Sequence, residues 1–240
     1  MSTTTTKTVR EIVLEYPGAA ELFEKAGIDY CCGGATPLDE ACQNAGASVD
    51  EIERQLAALA KAPSTARNWE KESLTDLVRH INAKHHVFVR EAVPRISARL
   101  DKVCGKHGEN HPELRQIQSV FHALGEELNM HLMKEENILF PYVENMERAQ
   151  QTKEPPAESC FGTVQNPIRM MMMEHDSAGS ALRSMRQASQ NYQVPADACT
   201  SFQLVYCELQ EFEADLHQHI HLENNLLFPR ALQLERTQAA

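Results

Sequence analysis

The sequence predicts an all-α protein, an up-down-up-down four-helix bundle preceded by a small helical amino-terminal domain. Its 240 residues contain few β-branched runs, little alternation of apolar and polar residues and no Asn-Gly hairpin, so strands are not expected. Four long helical stretches, separated by loops with Gly or Pro, are typical of such a bundle. Pro94 lies inside the first and is expected to kink it. The helices are predicted at about 72–103, 112–149, 164–191 and 196–235.

A small helical domain is predicted before the bundle. Its first helix, over residues 8–25, is broken or restarted at Pro17 and ends at Gly27. A Gly pair then predicts a turn, and two short helices follow at 38–44 and 49–61. The stretch after them has the composition of a linker. The chain therefore divides into a small helical domain, a linker and a bundle, at residues 1–62, 63–71 and 72–236.

The composition excludes several classes of function. A net charge of −11 disfavours a nucleic-acid groove, and no apolar run is long enough for a membrane span. The amino terminus lacks the layout of a secretory signal. Seven cysteines without regular spacing suit reduced thiols, so a cytoplasmic protein is expected, with neither nucleic acid nor membrane as partner. Four of them are interpreted as structural or incidental: Cys104, Cys160, Cys199 and Cys207.

The strongest sequence feature is an internal repeat in the second and fourth predicted bundle helices. Residues 131–141 read HLMKEENILFP and residues 219–229 read HIHLENNLLFP. Each shared residue recurs 88 positions later, so that His131 matches His219 and Glu135 matches Glu223. The repeat indicates that two helical hairpins are copies of one unit.

Each copy sets a His and a Glu into an apolar helix face. Residues four apart share one side of a helix, so His131 and Glu135 continue a stripe of leucines, as His219 and Glu223 do in the other copy. A buried carboxylate without a partner costs several kcal/mol, which favours metal binding. The alternative is an exposed His–Glu pair on the helix surface. It would explain a single motif of this kind, but not two copies at equivalent positions of a repeat.

The other two bundle helices are expected to supply further histidines. The third carries His175 within Glu-His-Asp, and the first carries His85 and His86, which helical phase alone does not separate. Four histidines and two glutamates suit two octahedral irons that share two carboxylates. No His has a Glu three residues before it, which excludes a ferritin-type site. A zinc site at His217 and His221 is the weaker alternative, because both flank the stripe.

These motifs resemble the hemerythrin-like domain, and the Cys-Cys-Gly-Gly segment at 31–34 resembles the double-cysteine domain joined to it in the RIC (repair of iron centres) family. The resemblance covers nearly the whole chain. It implies a hemerythrin-like bundle holding an oxo- and carboxylate-bridged pair of non-haem irons. The family's first ligand histidine lies eight residues before a helix proline, which selects His86, although Val87 stands where the family commonly has Asp. The implied ligands are His86, His131, Glu135, His175, His219 and Glu223.

The resemblance also implies a bacterial stress-response protein that helps to restore damaged iron–sulfur clusters, by supplying iron or by handling nitric oxide. Cys31 and Cys32 are the candidate reactive residues; they could ligate iron, take up a nitrosyl group or pair with another thiol, or else simply pack at the glycine-rich turn. The alternative is a nitric oxide or oxygen buffer or sensor without repair activity. A redox enzyme acting on nitrite or nitric oxide is a third reading. Expected partners are these small ligands, damaged iron–sulfur proteins and, through surface helices, a second copy in a homodimer.

Overall fold

A computed structural model of the chain describes residues 7–16, 18–60, 68–154 and 159–238. Eight helices form in these ranges and no strand does, which confirms the all-α prediction. One isolated antiparallel bridge joins Thr8 to Pro37. None of the helices in the described ranges is long and apolar enough to cross a membrane. The predicted break at Pro17, most of the predicted linker and the prolines at 155 and 156 lie outside the described residues.

The small amino-terminal domain consists of four short helices around a core of its own. Thr8 begins the first helix with a capping box to Glu11, and Ser48 caps the fourth. Gly27 ends the second helix with a φ of 69°, the left-handed conformation that glycine adopts easily. The four helices are α1 (Val9–Glu15), α2 (Ala19–Ala26), α3 (Leu38–Ala45) and α4 (Val49–Leu59). Their buried core includes Ile12, Phe23, Tyr30, Leu38 and Leu56.

Four long helices follow as predicted, and three of them contain a π-helical segment. We number them α5 (74–107), α6 (113–152), α7 (165–188) and α8 (200–238). Helix α5 continues across Pro94 to His107. The third helix, Gln165–Ala188, is α-helical throughout. The π-helical segments are Ile81–His86 in α5, Glu135–Leu139 in α6 and Glu223–Leu227 in α8.

The repeat is visible in the backbone as well as in the side chains. The π segments of α6 and α8 begin at the two repeated glutamates, and each ends where the N–H of a phenylalanine donates to the glutamate carbonyl, Phe140 to Glu135 and Phe228 to Glu223. A proline follows each phenylalanine. Such π-helical interruptions are frequent at functional sites because they change the direction in which side chains point.

A polar layer crosses the bundle between two apolar cores. One core includes Leu100, Phe121, Leu182 and Phe212, and the other includes Leu77, Phe140, Ile168 and Phe228. The candidate ligand side chains lie between these cores on all four helices. Buried polar groups in such a position are stable only when they are paired or bound.

The small domain packs on the bundle beside this layer. The side-chain amide of Asn225 in α8 donates to the backbone carbonyl of Tyr30 at 3.1 Å. A Cβ atom added at Gly34 would lie 2.8 Å from Oδ1 of Asn225, so this close approach requires glycine. Glu24 adds a contact of 2.7 Å to Nδ1 of His217 and one of 3.2 Å to Arg186.

Candidate metal centre

Two clusters of buried histidine and glutamate side chains occupy the polar layer. We call them position one (His86, Glu135, His219 and Glu223) and position two (His131, Glu135, His175 and Glu223). In each cluster the four potential ligand atoms lie within 4.8 Å of one another. All six residues are at most 3% exposed. The structure thus brings together the six side chains that the sequence and the family resemblance together indicated, one from each of α5 and α7 and two from each of α6 and α8.

Position one joins α5, α6 and α8. Nε2 of His86 lies 3.2 Å from Nε2 of His219 and 3.4 Å from Oε2 of Glu135. Nε2 of His219 lies 3.1 Å from Oε1 of Glu223.

Position two has the same arrangement on α6, α7 and α8. Nε2 of His175 lies 3.1 Å from Nε2 of His131 and 3.1 Å from Oε2 of Glu223. Nε2 of His131 lies 3.3 Å from Oε1 of Glu135. Each glutamate therefore directs one carboxylate oxygen to position one and the other oxygen to position two.

The distances between the facing nitrogens fit two ligands of one ion. First-row metals bind imidazole at about 2.1 Å, so two neighbouring ligands at right angles are about 3.0 Å apart. Two ring nitrogens 3.1–3.2 Å apart agree with this spacing. Both oxygens of Glu135 and Oε2 of Glu223 are buried without a hydrogen-bond partner, which a bound cation would supply. The residues present therefore fit a pair of metal ions.

The outer nitrogens of three of the histidines are held by polar side chains. Nδ1–H of His86 donates to Glu136 and that of His131 donates to Glu174, both at 2.8 Å. His175 contacts Oδ1 of Asn224 at 2.8 Å through the same atom. Nδ1 of His219 has no hydrogen-bond partner among the described residues. A proton on Nδ1 leaves Nε2 free to bind metal, and such outer contacts orient ligand histidines.

These outer partners were not found from the sequence. Glu136 also pairs with Arg90 at 2.8 Å, and Glu174 contacts Lys134. In the sequence such charges are indistinguishable from solvated surface residues. A usable signal exists, however, because Glu136 and Asn224 follow the two repeated glutamates directly and thus occupy equivalent places in the repeat.

His85 lies outside both clusters. Its Nδ1 contacts Oδ1 of Asp215 at 3.0 Å, its Nε2 has no hydrogen-bond partner in the described part of the chain, and its ring stacks on that of His219. Of the two neighbouring histidines, His86 is thus the one that faces Glu135 and His219.

Charge pairing controls protonation in the polar layer. Burial alone would raise the pKa of Glu223, but its electrostatic pairing with His219 and His175 holds that pKa well below its usual value. Burial opposes protonation of His131 too, yet the Glu135 carboxylate raises the pKa of His131 to about 9. For His219 burial prevails and its pKa is lowered. The glutamates are therefore anionic at neutral pH and suited to a cation.

The cysteine pair lies directly beside position two. Sγ of Cys32 approaches the backbone carbonyl of His175 at 3.8 Å, and Asn224 donates to the carbonyl of Cys31 at 3.5 Å. The hydrogen bond to Cys32, together with burial, raises the pKa of the Cys31 thiol well above its usual value. Cys31 therefore stays protonated at neutral pH, while Cys32 is partly exposed. Asp29 joins them in a third cluster of potential ligands.

His217 and His221 lie beside the two metal positions. Both flank the stripe and neither belongs to a metal position. His221 is buried, at 7% exposed, contacts Asn225 at 2.9 Å and packs on the ring of Tyr30. Both histidines serve the contact between the small domain and the bundle, because Asn225 and Glu24 are their respective partners.

A cavity of about 570 Å³ leads to the metal positions from the side of α6 and α7. Three candidate ligands line it: His131, His175 and His219. Its remaining walls combine apolar side chains such as Leu124, Leu128 and Ile220 with four charged ones, Glu126, Glu127, Lys134 and Glu174. A cavity of this size can hold a small molecule.

Comparison with known proteins covers both parts of the chain. Residues 76–231 match the family model described as the hemerythrin HHE cation binding domain, and residues 5–60 match one described as a domain of unknown function, DUF542. The iron-sulfur cluster repair protein YtfE of Yersinia pseudotuberculosis serotype IB (strain PB1/+) is 36% identical over 224 residues, covering 93% of this chain and 96% of the relative. The protein of the same name from Yersinia pestis (strain Pestoides F) has the same identity and coverage. The likeness therefore runs through the small domain and the bundle alike.

Proposed function

This chain belongs to the family of the YtfE iron–sulfur cluster repair proteins, and from that premise we propose that it takes part in the repair of damaged iron–sulfur clusters as a non-haem di-iron protein. It acts in the response to nitrosative or oxidative stress, in the bacterial cytoplasm, by supplying iron or by handling nitric oxide. Its clients are proteins with damaged clusters. The observation that carries the proposal is that Glu135 and Glu223 each direct one oxygen to each metal position.

The six ligands we propose for two irons are two histidines at each position and the two shared glutamates. Imidazole nitrogen and carboxylate oxygen suit iron better than soft metals, and six ligands shared by two octahedral ions leave coordination positions free for an oxo bridge and a small molecule. When bound, such an iron pair supplies a binding place for nitric oxide or oxygen. Glu136 and Glu174 hold a proton on Nδ1 of His86 and His131, which keeps Nε2 of each available to metal.

The cysteine pair is the part of the molecule that we assign to transfer. Asn224 contacts Nδ1 of His175 and the carbonyl of Cys31, so the small domain is attached next to a metal ligand. Cys32 is partly exposed and lies beside the same histidine. Cys31 and Cys32 are proposed to receive iron that leaves the centre, each thiol releasing its proton as it binds the metal. A protein that only bound a gas would not need this arrangement.

Recovery of a damaged client tests the proposal. A [4Fe–4S] dehydratase inactivated by nitric oxide is incubated anaerobically with iron-loaded protein, and its activity is followed. The wild-type protein is expected to restore activity, whereas Cys31→Ser/Cys32→Ser is expected to keep its iron and lose the effect. The control Cys160→Ser/Cys207→Ser changes two exposed cysteines and should behave as wild type. No recovery with the wild-type protein would refute a repair function.

The cavity beside the metal positions favours one alternative, a nitric oxide buffer or sensor. In that case the Cys31→Ser/Cys32→Ser protein would still capture nitric oxide stoichiometrically, and no variant would restore the dehydratase. A redox enzyme would instead convert nitric oxide or nitrite over many turnovers with an electron donor. Measuring nitric oxide consumption per iron pair, with and without a reductant, separates the two.

A further inference from the structure

A cysteine–histidine pair lies at the end of the bundle remote from the metal centre. Sγ of Cys199 is 3.1 Å from Nε2 of His107, the last residue of α5. Twenty residues or so of helix separate this pair from His86 and His219, which is about 30 Å at 1.5 Å per residue. The pair therefore takes no part in metal binding, and a role for it is independent of the proposed repair function.

Cys199 also occupies the N-cap of α8, the residue directly before Thr200–Leu222. Its backbone carbonyl accepts from the N–H groups of Phe202 and Gln203 at 2.9 and 3.0 Å, which fixes the residue against the first turn. The start of a long helix carries a partial positive charge and favours an anion. Ser, Thr, Asp and Asn are the usual residues here, so a cysteine is exceptional. The Cys199 side chain makes no capping hydrogen bond, so the helix terminus acts on the thiol through its partial charge, while the imidazole of His107 contacts the sulfur directly.

The other charged groups near the Cys199 thiol do not oppose a negative charge on its sulfur. Lys106 of α5 adds a positive charge. The nearby acidic residues Asp197 and Glu113 are engaged by His111, which contacts them at 3.2 and 3.0 Å. The backbone N–H of Phe202, followed by that of Ser201, lowers the pKa of the Cys199 thiol.

The other cysteines lack this environment. Cys42 and Cys104 are buried, and burial raises the pKa of both thiols. Cys207 is exposed, and the contact of its Sγ is a carboxylate oxygen of Glu211 at 3.8 Å. Cys160 is exposed as well and provides a comparison within the same molecule.

We propose that Cys199 is a reactive thiolate and a site of reversible covalent modification by low-molecular-weight disulfides, with His107 as the positioning residue that stabilises its charge. The Cys199 sulfur attacks one sulfur of the disulfide, a new S–S bond forms and the old one breaks. The second sulfur leaves as a thiolate that takes a proton from water. One disulfide is exchanged for another, so no external oxidant is needed. Reactive cysteines occur in such partly exposed, electropositive places.

Alkylation rates test the thiolate directly. The full-length reduced protein is treated with iodoacetamide between pH 5 and 9, and the modified fraction of Cys199, Cys160 and Cys207 is measured by peptide mass spectrometry. Cys199 is expected to react fastest at and below pH 7, by about threefold for every unit by which its pKa is lower, because the gain in thiolate exceeds the loss in nucleophilicity. Equal pH profiles at the three cysteines would overturn the proposal without any variant.

A pair of histidine variants tests the role of His107. In His107→Gln, the pH dependence of the alkylation rate of Cys199 is expected to approach that of Cys160. The control is His122→Gln, which changes a partly exposed histidine that contacts Asp101 and should leave the alkylation rate of Cys199 unchanged. Oxidised glutathione is then used as the disulfide: the mixed disulfide should form first on Cys199 and be released by a reductant. Preferential modification of Cys160 or Cys207 would contradict the assignment, as would an unchanged rate in His107→Gln.

Discussion

The two halves of the bundle are copies of one hairpin that differ one residue after the repeated glutamate. In the half formed by α5 and α6 that residue is Glu136, which holds Nδ1 of His86 and pairs with Arg90. In the half formed by α7 and α8 it is Asn224, which holds Nδ1 of His175 and also reaches Cys31. The same backbone position therefore orients one of the proposed ligand histidines in both halves, by a charged group in one and by a neutral group in the other.

The residue after that, Asn137 in the first half and Asn225 in the second, has a different role in each half. Asn137 in the first half donates to the backbone carbonyl of Met133 on its own helix and is exposed. Asn225 in the second half is buried and donates to the carbonyl of Tyr30. Both halves thus keep the proposed metal ligands, while only the second supplies the surface on which the cysteine domain packs. The comparison shows how a duplicated unit can divide metal binding from domain attachment.

The largest effect is expected from the residues that the halves share. Because each glutamate contributes to both positions, Glu135→Ala and Glu223→Ala should each abolish binding of both irons, and the two losses should be alike. Iron per chain, measured by elemental analysis after anaerobic purification, checks this. Glu208→Gln, a buried glutamate on α8 that pairs with Arg95 and Arg99, is the control and should keep its iron. Retention of one iron in either alanine variant would show that the two glutamates are not equivalent.

A smaller loss of iron affinity is expected from changes at Glu136 and Asn224, which follow the two glutamates. Glu136→Ala and Asn224→Ala each remove an outer partner of a ligand histidine, a change that typically weakens metal binding about 10- to 100-fold. Glu136→Ala should be the more severe, because a carboxylate supports an imidazole ligand more strongly than an amide does. Competition with a chelator measures the affinities. Equal affinity in Glu136→Ala and in the wild-type protein would show that the outer contacts do not matter.

A change at Asn225 should lower the stability of the protein without removing a proposed metal ligand. Asn225→Ala leaves the Tyr30 carbonyl without its partner, which we expect to destabilise packing of the small domain by about 1–3 kcal/mol. Asn137→Ala, at the equivalent exposed position, should stay within about 0.5 kcal/mol of the wild type. Hydrogen exchange at residues 28–34 and denaturant unfolding measure the two effects. Equal behaviour of the two variants would contradict the assignment of Asn225 to domain attachment.

The smallest effect concerns the loops of the two hairpins, which meet at His111 and Asp197. The hydrogen bond to Asp197 raises the pKa of His111, and the same contact lowers that of Asp197. The stabilisation is therefore complete between the ordinary pKa values, about 3.9 for Asp and about 6.5 for His. It declines as pH rises through the raised pKa of His111, and also as pH falls through the lowered pKa of Asp197. The difference in thermal stability between wild type and His111→Gln should follow this window; a difference that grows above pH 8 would contradict it.

The fold could be predicted from the sequence because its signals are periodic and repeated. The helices of the bundle lie close to their predicted ranges, and the repeat marked His131, Glu135, His219 and Glu223 as one inward stripe on each helix. The residues that contact Nδ1 of the candidate ligand histidines could not be predicted. Glu136 and Glu174 are only partly buried, and in the sequence they cannot be distinguished from solvated surface charges.

The choice between His85 and His86 illustrates a physical limit of pattern analysis. In an uninterrupted α-helix, His85 shares a face with the apolar residues Ile81 and Val89. The structure instead forms a π segment over Ile81–His86, whose wider turns shift the direction of side chains by about one residue. His86 then faces Glu135, and His85 faces Asp215. The local sequence contains no recognised signal that predicts this π-helical segment.

The proposed di-iron centre depends above all on two metal ions sharing both glutamates. A crystal of iron-loaded protein, measured at the iron absorption edge, tests this sharing most directly. Two anomalous peaks are expected, about 3.5–4 Å apart. Each peak should lie within bonding distance of one oxygen of Glu135 and one oxygen of Glu223, with His86 and His219 at one peak and His131 and His175 at the other. A single peak, a signal at the zinc edge instead, or a peak that contacts only one glutamate would contradict the shared arrangement.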